Sequence, residues 1–123
     1  MSDKSHLPKR PEPSFPGFSE AFTHAQRLVH SNATAHGWWD EERNPGEAIA
    51  LMHSELSEAL EALRTGNPPS VKADGFSQLE EELSDVIIRI MDFAEGTGLD
   101  LAGAIEAKHV YNKARPYRHG KQF

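Results

Sequence analysis

The segment 44–64, NPGEAIALMHSELSEALEALR, decides how this chain folds. Asn44 offers a capping oxygen, Pro45 takes the first helical position where its missing N–H costs nothing, and Glu47 stands where a carboxylate can reach back to the cap. Apolar residues then recur at helical spacing. Ile49, Met52, Leu56, Leu60 and Leu63 form one stripe, predicted to be the core face, and Ala48, Leu51, Glu55, Glu58 and Ala62 form a second beside it. Thr65 to Gly75, with Gly66, Asn67, Pro68 and Pro69, cannot continue the helix and predicts a loop that permits an antiparallel return. Residues 76–96, FSQLEEELSDVIIRIMDFAEG, predict that return, a helix from about Phe76 to Glu95 stopped by Gly96. Its expected core stripe is Leu79, Leu83, Val86, Ile90 and Phe93, bordered by Glu82, Asp85 and Arg89. Ile88 lies opposite that stripe and predicts a second packing surface that another subunit can cover.

Outward from this pair, Ser19 predicts the cap of an earlier helix reaching about Ala35 and terminated by Gly37, with Phe22, Ala25, Leu28, Val29 and Ala33 near one face. His24, His30 and His36 recur every six residues, which wraps them around that helix and argues against a zinc site. The adjacent Trp38 and Trp39 read in two ways. They plug the bundle end, or one ring packs inward while the other offers a face to a nucleobase. Asp100 predicts the cap of a fourth helix, Leu101 to Lys113, closed before Pro116, with Leu101, Ala104 and Ile105 inward and Lys108, Asn112 and Arg115 sharing a face. Residues 1–18, with Pro8, Pro11, Pro13 and Pro16, predict a flexible arm; 19–115 predict one helical domain; 116–123 predict a basic, aromatic tail.

The composition narrows the function classes. With 123 residues the chain fits one domain, of a size at which oligomerisation often supplies missing burial. It has no cysteine, hence no disulfide, no thiol nucleophile and no Cys-ligated zinc, in keeping with a cytoplasmic setting. No apolar run suits a membrane span. The net charge of −6 disfavours a nucleic-acid polymer as partner, but 108–123 holds five Lys or Arg and no acid, enough for one small polyphosphate.

Residues three apart on a helix point the same way, so Glu55 with Glu58, and Glu82 with Asp85, each form a two-carboxylate jaw. A single such pair reads first as a solvated acidic face. Two pairs on consecutive helices, each bordering the apolar stripe, read as a site, because four converging carboxylates repel unless cations lie between them. Oxygen-only donors suit Mg2+, with Mn2+ as a substitute.

Glu55-x-x-Glu58, 23 intervening residues, Glu82-x-x-Asp85 and the downstream Lys108-x-x-x-Asn112-x-x-Arg115 resemble the MazG-type all-alpha nucleoside triphosphate pyrophosphohydrolases over about residues 19–121. Trp38-Trp39-Asp40 and the ending Tyr111-Asn112-Lys113-x-Arg115-Pro116-Tyr117-x-His119-Gly120-Lys121 are most similar to the small single-domain members of bacteria and phages. The resemblance implies an all-α, four-helix bundle, and the second apolar face adds the expectation of a homodimer or homotetramer assembled through helix faces. It also implies Mg2+-dependent hydrolysis of a nucleoside triphosphate to the monophosphate and pyrophosphate. Glu55, Glu58, Glu82 and Asp85 would then hold metal, with Glu55 or Glu58 as the catalytic base. Lys108, Asn112 and Arg115, extended by Arg118 and Lys121, would bind phosphate, and Trp38 or Trp39 the base.

Three other readings compete. Phosphoribosyl-ATP pyrophosphatase resembles the same fold and metal motif, but the Trp pair and the tail fit it less well. A ferritin-like di-iron bundle needs two Glu-x-x-His pairs, and only Glu106 with His109 supplies one. A helical interaction module without enzymatic activity would be indifferent to Mg2+.

Overall fold

A computed structural model describes residues 15–123. The proline-rich arm lies outside them, except for its last residues. There Phe15 packs its ring 5.4 Å from that of Phe18 and 4.7 Å from that of His109. The fold is all-α. Four helices, α1 (Phe18–Ala35), α2 (Pro45–Arg64), α3 (Gln78–Gly96) and α4 (Leu101–Lys113), are followed by a short 3-10 turn at Tyr117–Gly120, with no strand among the described residues.

The helix starts follow side-chain chemistry. The Asn44 side chain accepts from the Glu47 amide at 3.1 Å, and that of Asp100 accepts from the Gly103 amide at 3.0 Å, each meeting a donor the helix cannot satisfy itself. α3 begins two residues later than Phe76, because Ser77 and Glu80 form a reciprocal capping box. α1 begins at Phe18, and Ser19 lies inside it rather than capping it; the cap position is Gly17 with φ 75°. The stop of α3 also shifts. Gly96 belongs to the helix, and Gly98 takes the left-handed conformation (φ 74°) that closes it.

α3 is the central helix, packed against α2 on one side and α1 on the other, while α4 rests on α1. The α2–α3 loop is pinned where Asn67 Oδ1 accepts from the Leu79 amide at 2.9 Å. This joins the end of α2 to the start of α3 and makes the pair antiparallel.

The stripe expected to be buried on α2 is the exposed one. Ile49, Leu56, Leu60 and Leu63 are 46, 47, 49 and 55 % exposed, while Ala48, Glu55, Ala59 and Ala62 are buried. Small residues let the two helices approach closely, so α2 packs through its alanine and carboxylate flank and leaves its large side chains outward. Leu83 of the expected α3 stripe is likewise exposed, as are Ile87 and Ile88. On α4 the buried residues are Ala102 and Glu106, and Ala104, expected inward, is exposed. Among the described residues the fully buried apolar side chains are all alanines, and several large aliphatic side chains of α2 and α3 stay about half exposed.

Candidate metal centre

Glu55 on α2 and Glu82 and Asp85 on α3 bring one carboxylate oxygen each within 4.8 Å of one another. Glu55 and Glu82 are only 8 and 7 % exposed. The Oε2 atom of each is buried without a hydrogen-bond partner among the described residues. Buried carboxylate oxygens without donors are costly, and oxygen-only ligands of this kind are what a hard cation takes. Glu58, one turn along α2, lies toward solvent beside them.

The electrostatics carry the same message. Hydrogen bonding to the Glu55 and Glu82 carboxyls, reinforced by their charges, raises the pKa of Glu58 from 4.5 to about 7. Asp85 is also raised, first by burial and then by the charges of Glu55, Glu82 and Glu81. The folded chain thus keeps a proton that the unfolded chain releases near 4.5. Its stabilising contribution is full below about 4.5 and lost as the pH rises through about 7. The capped Glu80, whose pKa its bonds to Ser77 lower, has the opposite sign, but its effect falls below the ordinary carboxylate value. In metal-free buffer the melting temperature is therefore expected to drop between pH 5 and 8, and millimolar Mg2+ to abolish the drop. Thermal melts with and without EDTA check this, and a slope that Mg2+ leaves unchanged would count against a cation among these groups.

Beside the cluster lies a cavity of about 630 Å3, whose lining includes Glu55, Asp85, Arg89, Trp38 and Asn32. The two tryptophans divide their work. Trp39 turns inward, its six-membered ring so close to Gly96 that a Cβ there would lie 2.3 Å from it. Its Nε1 donates to Asp92 Oδ1 at 2.8 Å. Trp38 is 58 % exposed and lines the cavity. Asp92, buried, also accepts from His30 Nδ1 at 2.9 Å and from Arg43 at 3.0 Å. The Arg43 guanidinium lies 5.0 Å from the Trp39 ring centre. His30 thus serves a carboxylate anchor.

The basic set is placed elsewhere. Lys108, Asn112, Arg115, Arg118 and Lys121 do not line this cavity. Lys108 and Arg115 flank the Tyr111 ring at 4.7 and 5.5 Å. Arg118 lies against Tyr117 and donates to the Gln122 carbonyl at 2.9 Å. Asn112 keeps a buried Oδ1 without a partner among the described residues.

Asp92, Arg43 and Arg89 carry roles that apolar periodicity does not show. A signal for them was present: Glu82, Asp85, Arg89 and Asp92 follow at offsets of 3, 7 and 10, one continuous charged stripe along α3.

Compared with protein-family models, curated proteins and solved structures, the chain finds no match. No helix among the described residues is long and apolar enough to cross a membrane.

Proposed function

We propose that the protein is a Mg2+-dependent nucleoside triphosphate pyrophosphohydrolase of the MazG-like kind. The observation that carries this reading is the cluster of buried Glu55 and Glu82, each with an orphaned carboxylate oxygen, and half-buried Asp85, beside a cavity edged by an exposed tryptophan. The donor set is all oxygen, as Mg2+ or Mn2+ requires. When bound, the cation would neutralise charge on the triphosphate and polarise its phosphorus.

The remaining tasks fall to the chain. Glu58, solvent-facing and one turn along α2 from Glu55, is placed beside the cluster to take a proton from water, and Glu55 orients the same corner from the turn before. Trp38 offers its face to the base, while Trp39 fixes the loop that holds Trp38 in place. Lys108, Asn112, Arg115, Arg118 and Lys121 remain the proposed phosphate contacts. Because they lie outside the cavity of one chain, the reading requires the assembly to bring them to it.

The apolar face argues for that assembly. Ile49, Leu56, Leu60 and Leu63 on α2, with Leu83 and Ile87 on α3, are each close to half exposed, and covering them would contribute roughly 1 kcal/mol apiece. A homodimer or homotetramer packed through these helices is proposed. At micromolar concentration the protein is expected to sediment as a dimer or larger, and a stable monomer would contradict this.

The function is tested by a panel of ribo- and deoxyribonucleoside triphosphates with Mg2+ or Mn2+, measuring whether pyrophosphate or orthophosphate is released. Pyrophosphate with a nucleoside monophosphate supports the proposal. Orthophosphate release, or no turnover with any substrate in the panel, overturns it.

A further inference from the structure

The carboxylate cluster already contains a cation. Arg89 Nε donates to Glu55 Oε1 at 2.8 Å, with the Glu55 side chain 10 % and the Arg89 side chain 32 % exposed. Its remaining guanidinium nitrogens make no hydrogen bond among the described residues. Arginine stays protonated at every accessible pH, so this counterion cannot be removed by titration. Glu55 is the one ligand candidate of the buried cluster that is shared between Arg89 and the space facing Glu82 and Asp85. Glu82, nine-tenths buried with an unpartnered Oε2, has no basic partner among the described residues.

We propose that Arg89 is a resident counterion that a divalent cation displaces, so that metal loading frees its guanidinium for the anionic substrate in the adjoining cavity. The proposal rests on the metal reading above. A cation held by the unpartnered Glu55 Oε2 would share one carboxylate with the Arg89 guanidinium bonded to Oε1, and like charges on a shared carboxylate repel. Arg89 has somewhere to go, because it lines the cavity beside Trp38 and Asp85. Its planar fork of donors fits two phosphate oxygens at once. The exchange also explains how a cavity edged by Asp85 and Glu55 could accept an anion. Before loading, Arg89 is spent on Glu55; after loading, both the metal and Arg89 face the phosphates.

The test uses the full chain, without turnover, and two probes. For Mn2+ alone, followed by electron paramagnetic resonance, Arg89→Gln is expected to bind about tenfold more tightly than the unsubstituted protein, since displacing one charge-assisted hydrogen bond no longer opposes binding. Arg89→Lys, which keeps the charge, should stay within about threefold of it. For inorganic pyrophosphate at saturating Mn2+, Arg89→Gln is expected to bind about tenfold more weakly. Opposite signs for metal and anion are the signature of exchange. A third readout needs no variant. Phenylglyoxal modification of Arg89, located by peptide mapping, should increase when Mn2+ is added to the unsubstituted protein. Unchanged or weaker Mn2+ binding by Arg89→Gln overturns the exchange and leaves the metal reading standing, as does an Arg89 whose reactivity ignores Mn2+. If no protein in the series binds Mn2+, the metal reading itself falls and takes the exchange with it.

Discussion

Glu58→Gln is expected to lower Mg2+-dependent pyrophosphate release by about 100- to 10,000-fold and, in metal-free buffer above pH 7, to melt at a higher temperature than the unsubstituted protein. Both effects have one cause. Glu58 stands against Glu55 and Glu82, and their carboxyls hold its own titration up at about 7. Above that pH the folded chain must keep three neighbouring negative charges together without a counterion beyond Arg89. The amide keeps the shape of the side chain, removes one of those charges and supplies an N–H donor for a carboxylate oxygen. The folded state gains; the capacity to accept a proton from water, and to help hold a cation, is lost. Stability gained where activity disappears is the mark of a group kept in place for its chemistry. An acidic residue that merely solvates the surface of α2 would produce neither effect. Pyrophosphate release and thermal melts in EDTA at pH 8 decide the matter, and a variant with full turnover would remove Glu58 from the reaction.

How far the sequence could be read depended on the kind of force involved. Local chemistry was legible. Asn44 and Asp100 cap their helices as their side chains dictate, and a Glu-x-x-Glu facing a Glu-x-x-Asp across an antiparallel pair brings carboxylates together by helix geometry alone. The choice between two apolar flanks was not. On α2 the run Ile49, Leu56, Leu60, Leu63 and the run Ala48, Ala59, Ala62 both repeat at helical spacing, and hydrophobicity favours the first. Burial went to the second because alanines permit a close approach of α2 to α3, which also draws Glu55 and Glu82 inside. Periodicity reports that a flank is apolar; whether the neighbour that covers it belongs to the same chain depends on contacts far apart in sequence. The roles of Trp38 and Trp39 were closed to sequence for the same reason. The acceptor that turns Trp39 inward is Asp92, 53 residues away.

That acceptor is the subject of the second large effect. Asp92→Ala is expected to destabilise the fold by about 3 to 5 kcal/mol, a large part of the roughly 5 to 15 kcal/mol available to a domain. Asp92 is 6 % exposed and collects three donors from two different parts of the chain: His30 of α1, and Trp39 and Arg43 of the connection between α1 and α2. Removing the carboxylate leaves the Arg43 guanidinium, which cannot shed its proton, without its buried partner, and leaves the Trp39 N–H without an acceptor. The connection would come loose from α3. Asp92→Asn separates charge from shape, since an amide oxygen in place of Oδ1 can still accept from Trp39 and His30 while the ion pair with Arg43 is gone, and it should fall between the two. Urea unfolding measures the cost, and Trp fluorescence reports whether the Trp39 ring leaves its seat on Gly96. Where Asp92→Asn remains folded, the consequence for the site is selective. Glu55, Glu82 and Asp85 are carried by α2 and α3, and Asp92 bonds none of them, so Mn2+ affinity should change little. Trp38 is carried by the connection, so nucleotide affinity should fall. If Mn2+ and nucleotide binding instead decline together, the connection and the carboxylate cluster form one cooperative unit, and the assignment of Trp38 to a separable base contact is wrong.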